Sequence, residues 1–177
     1  MANRFASSRR SGRVFVVLAA LVLVAGLSTL LIRRSTEPGT GMPAGETTIA
    51  FLDVGQALSV AVVTADGHSL LFDAGNSADD AEQAVLPFLR EHGVDRLDYL
   101  VLSHPHQDHV GGMPAVLDAL PVGTFVDPVI PTTNQTYRRT LELVDQQGIQ
   151  PLRARRGDTL DLGTATAELL WPGDSPI

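Results

Sequence analysis

The stretch "SHPHQDHVGG", Ser103 to Gly112, places three of the chain's five histidines and one aspartate within six consecutive positions. It follows "LDYLVLS" (Leu97–Ser103), a nearly unbroken apolar run that predicts a strand buried on both faces. The segment "GGMPAVLDAL", which begins at Gly111, predicts a helix. The polar cluster therefore lies at a strand-to-helix turn, which is where α/β folds gather their ligands.

The cluster contains His104, His106, Asp108 and His109, and these residue types bind zinc in water-accessible sites. His104 and His106 are two positions apart, so on an extended strand end both can meet one ion. Asp108 and His109 follow after the chain has begun to turn, and they can face a second ion. Two metals about 3.5–4 Å apart can generate hydroxide near neutral pH and neutralise charge on both reacting oxygens. The alternative is a loop of solvated histidines, and four potential ligands in six residues argue against it.

The segments around the cluster predict an α/β fold with helices packed on a sheet. Three short apolar runs, residues 47–54, 58–64 and 69–75, predict consecutive antiparallel strands, two of them joined at an Asp66-Gly67 turn. A helix follows between an N-cap at Ser77 and Gly93, and Pro87 within it predicts a kink or a late start. After the cluster come a strand, an amphipathic helix and three further strands. We predict Phe125 and Trp171 to be core residues.

Charge divides the chain into two parts. Residues 1–37 contain six Arg and one acid, whereas the remainder contains seven Arg and nineteen acids, a net charge of −12. Such an acidic body repels nucleic acid unless bound metals and a local patch offset the charge. The chain has no Cys, which excludes a thiolate-ligated metal site.

The basic part contains an uncharged apolar run of nineteen residues, Val14 to Ile32, which is long enough to cross a bilayer as a helix. Four Arg precede the run and two follow it, which favours a cytoplasmic N-terminus. A cleaved signal peptide is the alternative, although no cleavage site of the usual kind follows. We predict a basic cytoplasmic arm, a transmembrane helix, a flexible linker and an extracytoplasmic domain, at residues 1–13, 14–32, 33–46 and 47–177.

The stretch "SHPHQDHVGG" resembles the H-x-H-x-D-H signature of the metallo-β-lactamase superfamily. The wider context from about Ile49 to Trp171, including "FLDVGQALSV" and "LLFDAGNS", is similar to the C-terminal domain of ComEC-type DNA-uptake competence proteins and their stand-alone relatives. The resemblance implies an αββα sandwich, of which this chain holds the N-terminal part. It also implies a two-zinc site used for hydrolysis, with the phosphodiester backbone of DNA as the substrate of ComEC-type proteins.

The resemblance also implies individual roles. His104 and His106 bind the first zinc, and Asp108 and His109 bind the second. Asp108 is in addition the catalytic residue that orients the attacking water. Asp73, in "LLFDAG", matches an acid that ends a strand beside the site and supports the loop.

Two departures from the family pattern bear on these expectations. Asp53, in "LDVGQ", matches a second acid near the cleft, but Ala57 and Leu58 replace the glycine and the acid that follow in the family. This change bears on substrate handling. Family members also continue with a bridging Asp and at least one more His, whereas no His follows His109 here. We therefore expect a truncated or partial chain with an incomplete site.

The predicted function is a membrane-anchored hydrolase in which zinc-bound hydroxide attacks a phosphodiester. The substrate is either DNA or a small phosphodiester, and the acidic body also leaves esters and β-lactams open. An alternative from another class is a non-catalytic half-domain that needs a partner chain or a missing C-terminal half. The sequence identifies no protein partner.

Overall fold

The computed structural model describes residues 45–173. The first three strands form an antiparallel meander, as predicted: β1 (Thr48–Phe51), β2 (Val60–Val63) and β3 (Ser69–Phe72). β2 and β3 are joined at the Asp66-Gly67 turn, where Gly67 has a φ of 88°. Glycine adopts this left-handed conformation without steric cost, so the turn has a glycine at the position that requires a positive φ.

The same sheet continues with three parallel strands, β4 (Leu97–Val101), β5 (Val122–Asp127) and β6 (Gln150–Arg153). Within the described residues the six strands lie side by side in the order β1 to β6. β3 is parallel to β4, so the carboxyl ends of β3 to β6 meet at one edge of the sheet. That edge carries the histidine cluster, which begins after the end of β4.

The helices follow the strands in the predicted places. They are α1 (Ala78–Asp80), α2 (Leu86–Glu91), α3 (Gln107–Val110), α4 (Met113–Ala119) and α5 (Gln135–Gln146). Ser77 caps α1 by accepting a hydrogen bond from the Asp80 backbone N–H at 3.2 Å. A π-helical turn, Ala81–Val85, separates α1 from α2. Pro87 lies in the first turn of α2, where the α-helix resumes after the π-helical turn. This position agrees with the predicted late start of the helix.

Alternating side chains give the sheet two apolar faces. The helices cover one face, where fully buried residues include Ala61, Leu71, Leu100 and Phe125. On the other face Leu70, Val101 and Val126 pack in a second cluster with Leu160 and Leu162. The period of two along each strand explains this division, because neighbouring residues point to opposite sides. Phe125 is thus a core residue, as predicted.

The second face is covered by a separate antiparallel hairpin of β7 (Thr159–Leu162) and β8 (Ala165–Glu168). Helices, the six-stranded sheet and this hairpin form three layers, which is the α/β arrangement expected for the N-terminal part of the sandwich. At the β1 edge of that face, Ile49 and Phe51 are 64% and 79% exposed.

The predicted membrane span at residues 14–32 lies outside the described residues, as do the arm and most of the linker. Across residues 45–173, every helix is too short or too polar to cross a bilayer.

Candidate functional site

The cluster is built at the end of β4, where the chain passes into α3. His106 is the N-cap of α3 with extended backbone angles of φ −77° and ψ 153°. Asp108 and His109 lie within the single short turn of α3. The backbone therefore divides the four residues as predicted: His104 and His106 precede the helix, and Asp108 and His109 lie in it.

The imidazole of His104 contacts the imidazoles of His106 and His109. His104 Nε2 lies 3.1 Å from His106 Nδ1. The His104 ring centroid is 4.0 Å from that of His109. Asp108 Oδ2 lies 3.4 Å from His109 Nε2. All four side chains identified from the sequence are thus brought together at one sheet edge.

Asp73 joins the cluster from the end of β3. Its carboxylate is fully buried, and it accepts hydrogen bonds from the Ser103 backbone N–H at 2.8 Å, Ser103 Oγ at 2.6 Å and His109 Nδ1 at 2.7 Å. Asp73 has a φ of 58°, in the left-handed region that few non-glycine residues adopt. Strained backbone of this kind persists where surrounding contacts hold it. Here the three hydrogen bonds do so.

This network assigns the protons of two imidazoles. Ser103 Oγ has a single proton and donates it to Asp73, so it accepts from His104 Nδ1 at 3.0 Å. His109 Nδ1 donates to Asp73. In its neutral form each ring then carries its lone pair on Nε2, the nitrogen turned toward the other cluster residues. Hydrogen bonds to the far nitrogen are the usual means of orienting a metal-binding histidine.

Two ionisable groups in the cluster have shifted pKa values. Burial raises the pKa of Asp73, while the hydrogen bonds from Ser103 and His109 act in the opposite direction. Partial burial lowers the pKa of His104, and the neighbouring imidazoles His109 and His106 lower it further. The neutral form of His104 is therefore favoured, which is the form that binds metals.

The donor types in the cluster fit zinc, and the donor pairs have suitable spacing. Two atoms bound to one tetrahedral zinc at about 2.0–2.1 Å are about 3.3 Å apart. The distances from His104 to His106 and from Asp108 to His109, 3.1 and 3.4 Å, are close to this value. Within residues 45–173, however, no group of three or more His, Asp or Glu side chains is arranged to hold one ion. A catalytic zinc normally has three protein ligands, so the described residues supply part of such a site.

Two glycines let the loop after β3 approach the cluster. A Cβ on Gly111 would collide with the backbone of Asn76, and one on Gly112 would collide with the Ala74 carbonyl oxygen. The Gly111 N–H donates to the Gly75 carbonyl at 2.9 Å, and the Ala74 N–H donates to the His109 carbonyl at 2.9 Å. These glycines thus allow backbone-to-backbone packing that positions Asp73.

Asp53 has a different environment from Asp73. It is exposed, and its Oδ1 accepts a hydrogen bond from the Gly55 N–H at 3.5 Å. The loop that contains it does approach the cluster, since the Leu58 N–H donates to the Asp108 carbonyl at 3.1 Å. The structure therefore brings the loop that contains Asp53 to the site, and the role of the Asp53 carboxylate stays a prediction.

Sequence reasoning missed Ser103 and Gln107. Gln107 Nε2 donates to the Asn76 carbonyl at 2.8 Å, and its Oε1 accepts from Thr136 Oγ1 at 3.0 Å. It therefore ties α3 to two distant segments that no local pattern connects. The prediction that Trp171 is a core residue was wrong, because its side chain is 44% exposed. β8 ends at Glu168, so Trp171 lies beyond the strand, beside the histidines.

Comparison with known proteins agrees with the fold and the site sequence. The pattern of the metallo-beta-lactamase superfamily matches residues 52–171. Competence protein ComA of Neisseria gonorrhoeae is 49% identical over 75 residues, which is 42% of this chain and 11% of ComA. Recombination protein 2 of Haemophilus influenzae is 37% identical over 90 residues, 49% of this chain and 11% of that protein. Hydroxyacylglutathione hydrolase of Aliivibrio salmonicida is 36% identical over 63 residues, covering 36% of this chain and 23% of the hydrolase.

The α/β layers and the H-x-H-x-D-H cluster define a fold whose members are generally hydrolytic. The chain belongs to the metallo-β-lactamase superfamily, and its relatives include competence proteins of the ComEC type, as the sequence resemblance indicated. The chain spans about a tenth of the length of the competence and recombination proteins it matches.

Proposed function

We propose that this protein is a metal-dependent phosphodiester hydrolase. The observation that carries the proposal is the convergence of His104, His106, Asp108 and His109 at one sheet edge, with His104 and His109 oriented through their Nδ1 atoms. A bound zinc pair would activate water and neutralise charge on the reacting oxygens. Because each donor pair lacks a third ligand among the described residues, the complete site needs further ligands from elsewhere.

The residues of this chain have distinct tasks in the proposal. His104 and His106 form one half of the site, and Asp108 and His109 form the other. Asp108 is half-exposed, with 47% of its side-chain surface accessible. Its carboxylate can therefore also accept a hydrogen bond from an incoming water and orient it. Asp73 is buried and keeps His109 in the orientation that leaves Nε2 free.

Zinc content tests the proposal directly. The full chain, loaded with zinc and desalted, is compared with His104→Ala and Asp108→Ala by elemental analysis. His68→Ala is the matched control, because His68 Nδ1 pairs with Asp98 away from the cluster at 3.0 Å. We expect zinc to be retained by the wild type and the control, and lost in the two cluster variants. Equal retention in all four proteins would refute the site.

Hydrolysis of bis(p-nitrophenyl) phosphate by the zinc-loaded chain then tests the reaction. The net charge of −12 beyond residue 37 supports a small phosphodiester or a short strand over long DNA. Zinc retention without turnover would instead favour the non-catalytic half-domain that needs a partner or a missing half.

Ester hydrolysis is a second candidate, supported by the similarity to hydroxyacylglutathione hydrolase. Turnover of p-nitrophenyl acetate without turnover of the phosphodiester would favour it. β-lactams are the third substrate class that the predicted function leaves open.

We further propose that residues 14–32 anchor the chain in the cell membrane, with residues 1–13 cytoplasmic, residues 33–46 as the linker and the domain from residue 47 outside. The family match begins at residue 52, after the proposed linker, which supports this division. Alkaline phosphatase fused after residue 46 is expected to be active, since that enzyme folds outside the cytoplasm. An inactive fusion would overturn the orientation.

A further inference from the structure

A cleft of about 460 Å³ opens directly beside the paired histidines. Two segments and a single residue line it: Ser103 to His106, Ile130 to Thr132, and Trp171. Its volume is in the range of pockets that hold small organic ligands, roughly 300–1,000 Å³. Because His104 and His106 form part of its surface, a group bound in the cleft lies next to the atoms of a substrate held at the cluster.

The chemistry of the cleft favours an uncharged, flat group. Among residues 45–173, those that line the cleft include no Asp, Glu, Lys or Arg, so they offer a phosphate no lysine or arginine partner. Two prolines, an isoleucine and an indole instead provide apolar surface. Trp171 is 44% exposed, which leaves part of its ring available for stacking.

The segment that leads into Ile130 and Pro131 is held in place by a buried carboxylate at the end of β5. Asp127 is 8% exposed; its Oδ1 accepts from the Val129 N–H at 2.8 Å and its Oδ2 from Tyr137 Oη at 2.7 Å. Val129 has a φ of 59°, a conformation that β-branched residues avoid. Such strain persists only where the surroundings hold it. The Tyr137–Asp127 pair thus fixes the loop that continues into Ile130 and Pro131.

We propose that this cleft is the subsite for a nucleobase adjoining the scissile phosphodiester, with Trp171 as the stacking surface. The inference rests on the proposed phosphodiester hydrolysis and names its substrate class: a short single strand or small nucleotide ester. Stacking is the recognition mode that suits this body, since its net charge of −12 attracts a phosphate backbone poorly. Every base presents a flat face, so the subsite selects for a base rather than for a sequence.

Trp171 fluorescence tests base binding without requiring turnover, because the chain contains one Trp. The full chain is titrated with the thymidine dinucleotide and, separately, with dimethyl phosphate, which carries the same diester without a base. We expect saturable quenching by the dinucleotide and none by dimethyl phosphate. Ile130→Glu, which places a charge in the cleft, is expected to abolish the quenching. Leu170→Glu is the matched control, since Leu170 is 73% exposed and does not line the cleft, and it is expected to retain it.

Hydrolysis by the zinc-loaded chain gives the second readout. Thymidine 5′-(p-nitrophenyl phosphate) is compared with methyl p-nitrophenyl phosphate. Loss of one base–aromatic stack corresponds to roughly a 5- to 150-fold change, so Trp171→Ala should raise KM for the thymidine ester by that factor. KM for the methyl ester should not change, and Trp171→Phe should recover most of the difference.

The two readouts separate the two proposals. Absence of quenching by the dinucleotide, or equal quenching by dimethyl phosphate, overturns the nucleobase subsite and leaves phosphodiester hydrolysis standing. Saturable quenching without hydrolysis of either ester supports the subsite and overturns the proposed reaction.

Discussion

His109 Nδ1 lies 2.7 Å from Asp73 Oδ2, so a carboxylate at the end of β3 orients an imidazole 36 residues further along the chain. The two residues meet because β3 and β4 are adjacent parallel strands whose carboxyl ends share one edge. Asp73 is buried and its backbone is strained, whereas His109 is partly accessible. A buried carboxylate thus fixes the orientation of a partly accessible imidazole in the histidine cluster.

Asp73→Asn should weaken zinc binding by about 10- to 100-fold, since residues that orient metal ligands usually have effects of this size. Asparagine tolerates the left-handed backbone, but one of its two oxygens becomes an N–H₂ that cannot accept from Ser103 or His109. Competition with a chromogenic chelator measures the change. Asp98→Asn, which alters the His68–Asp98 pair outside the cluster, should leave zinc affinity at the wild-type value. Equal zinc affinity in wild type and Asp73→Asn would contradict the orienting role.

Gly112→Ala should lower the free energy of unfolding by about 1–3 kcal/mol, because overpacking in a tight contact carries a cost of this size. The added Cβ would collide with the Ala74 carbonyl oxygen and lie 2.9 Å from the Ala81 side chain. Urea denaturation of the two proteins measures the difference. Gly173→Ala is the matched control, since a Cβ there meets nothing within 4 Å, and its stability should equal that of the wild type.

Asp66 should make stability depend on pH in the acid range. Its carboxylate accepts from Thr64 Oγ1 at 2.6 Å and from Thr164 Oγ1 and N–H at 2.9 Å each, so it connects the β2–β3 turn to the hairpin of β7 and β8. These hydrogen bonds lower the pKa of Asp66 below its ordinary value of 3.8, and the hydrogen bond from Thr64 has the largest effect. The ionised carboxylate thus stabilises the fold above that value, and the contribution is lost as pH falls through the folded-state pKa.

The thermal midpoint of Asp66→Asn should therefore be below that of the wild type near neutral pH. The difference should shrink as the pH falls below about 4, where the wild-type carboxyl also becomes protonated. Asp118→Asn, an exposed change on α4, serves as the control and should show no such pH-dependent difference. A constant difference between wild type and Asp66→Asn across this range would contradict the assignment to the ionised carboxylate.

Phe51→Glu should reduce self-association of the purified chain. Phe51 and Ile49 are exposed apolar side chains on β1, an edge strand of the described sheet, and such edges promote association. Light scattering at increasing protein concentration measures the effect. Leu141→Glu adds the same charge at a 37% exposed leucine on α5, so it controls for charge alone. An equal reduction in both variants would assign the effect to net charge rather than to the β1 edge.

The sequence predicted the parts of this fold that depend on neighbouring residues. The antiparallel meander followed from short apolar runs and the Asp66-Gly67 turn, and the helix after β3 from its cap at Ser77. The pairing within each half of the cluster also follows from local spacing, because His104 and His106 are two positions apart on extended backbone. Their roles in zinc binding stay predictions.

Trp171 shows where local reasoning fails. A tryptophan after an apolar run predicts a buried side chain on average, yet β8 ends three residues earlier and leaves the ring at the rim of a cleft. Whether that position is buried depends on what packs against it, and the residues that share the cleft with it, such as Ile130 and His104, are far away in sequence. Gln107 is similar, since its partners at residues 76 and 136 are brought near only by the packing of α3 and α5.

By itself, the sequence determined the order of strands and helices, the superfamily and the residue types available at the cluster, because turn chemistry, periodicity and motif spacing act over a few residues. The tertiary structure alone decided that Asp73 would accept a hydrogen bond from Ser103 and orient His109, and that Trp171 would line a cleft beside them. Those relationships join segments about 30 to 70 residues apart, and their geometry follows from strand register and side-chain packing rather than from local preference.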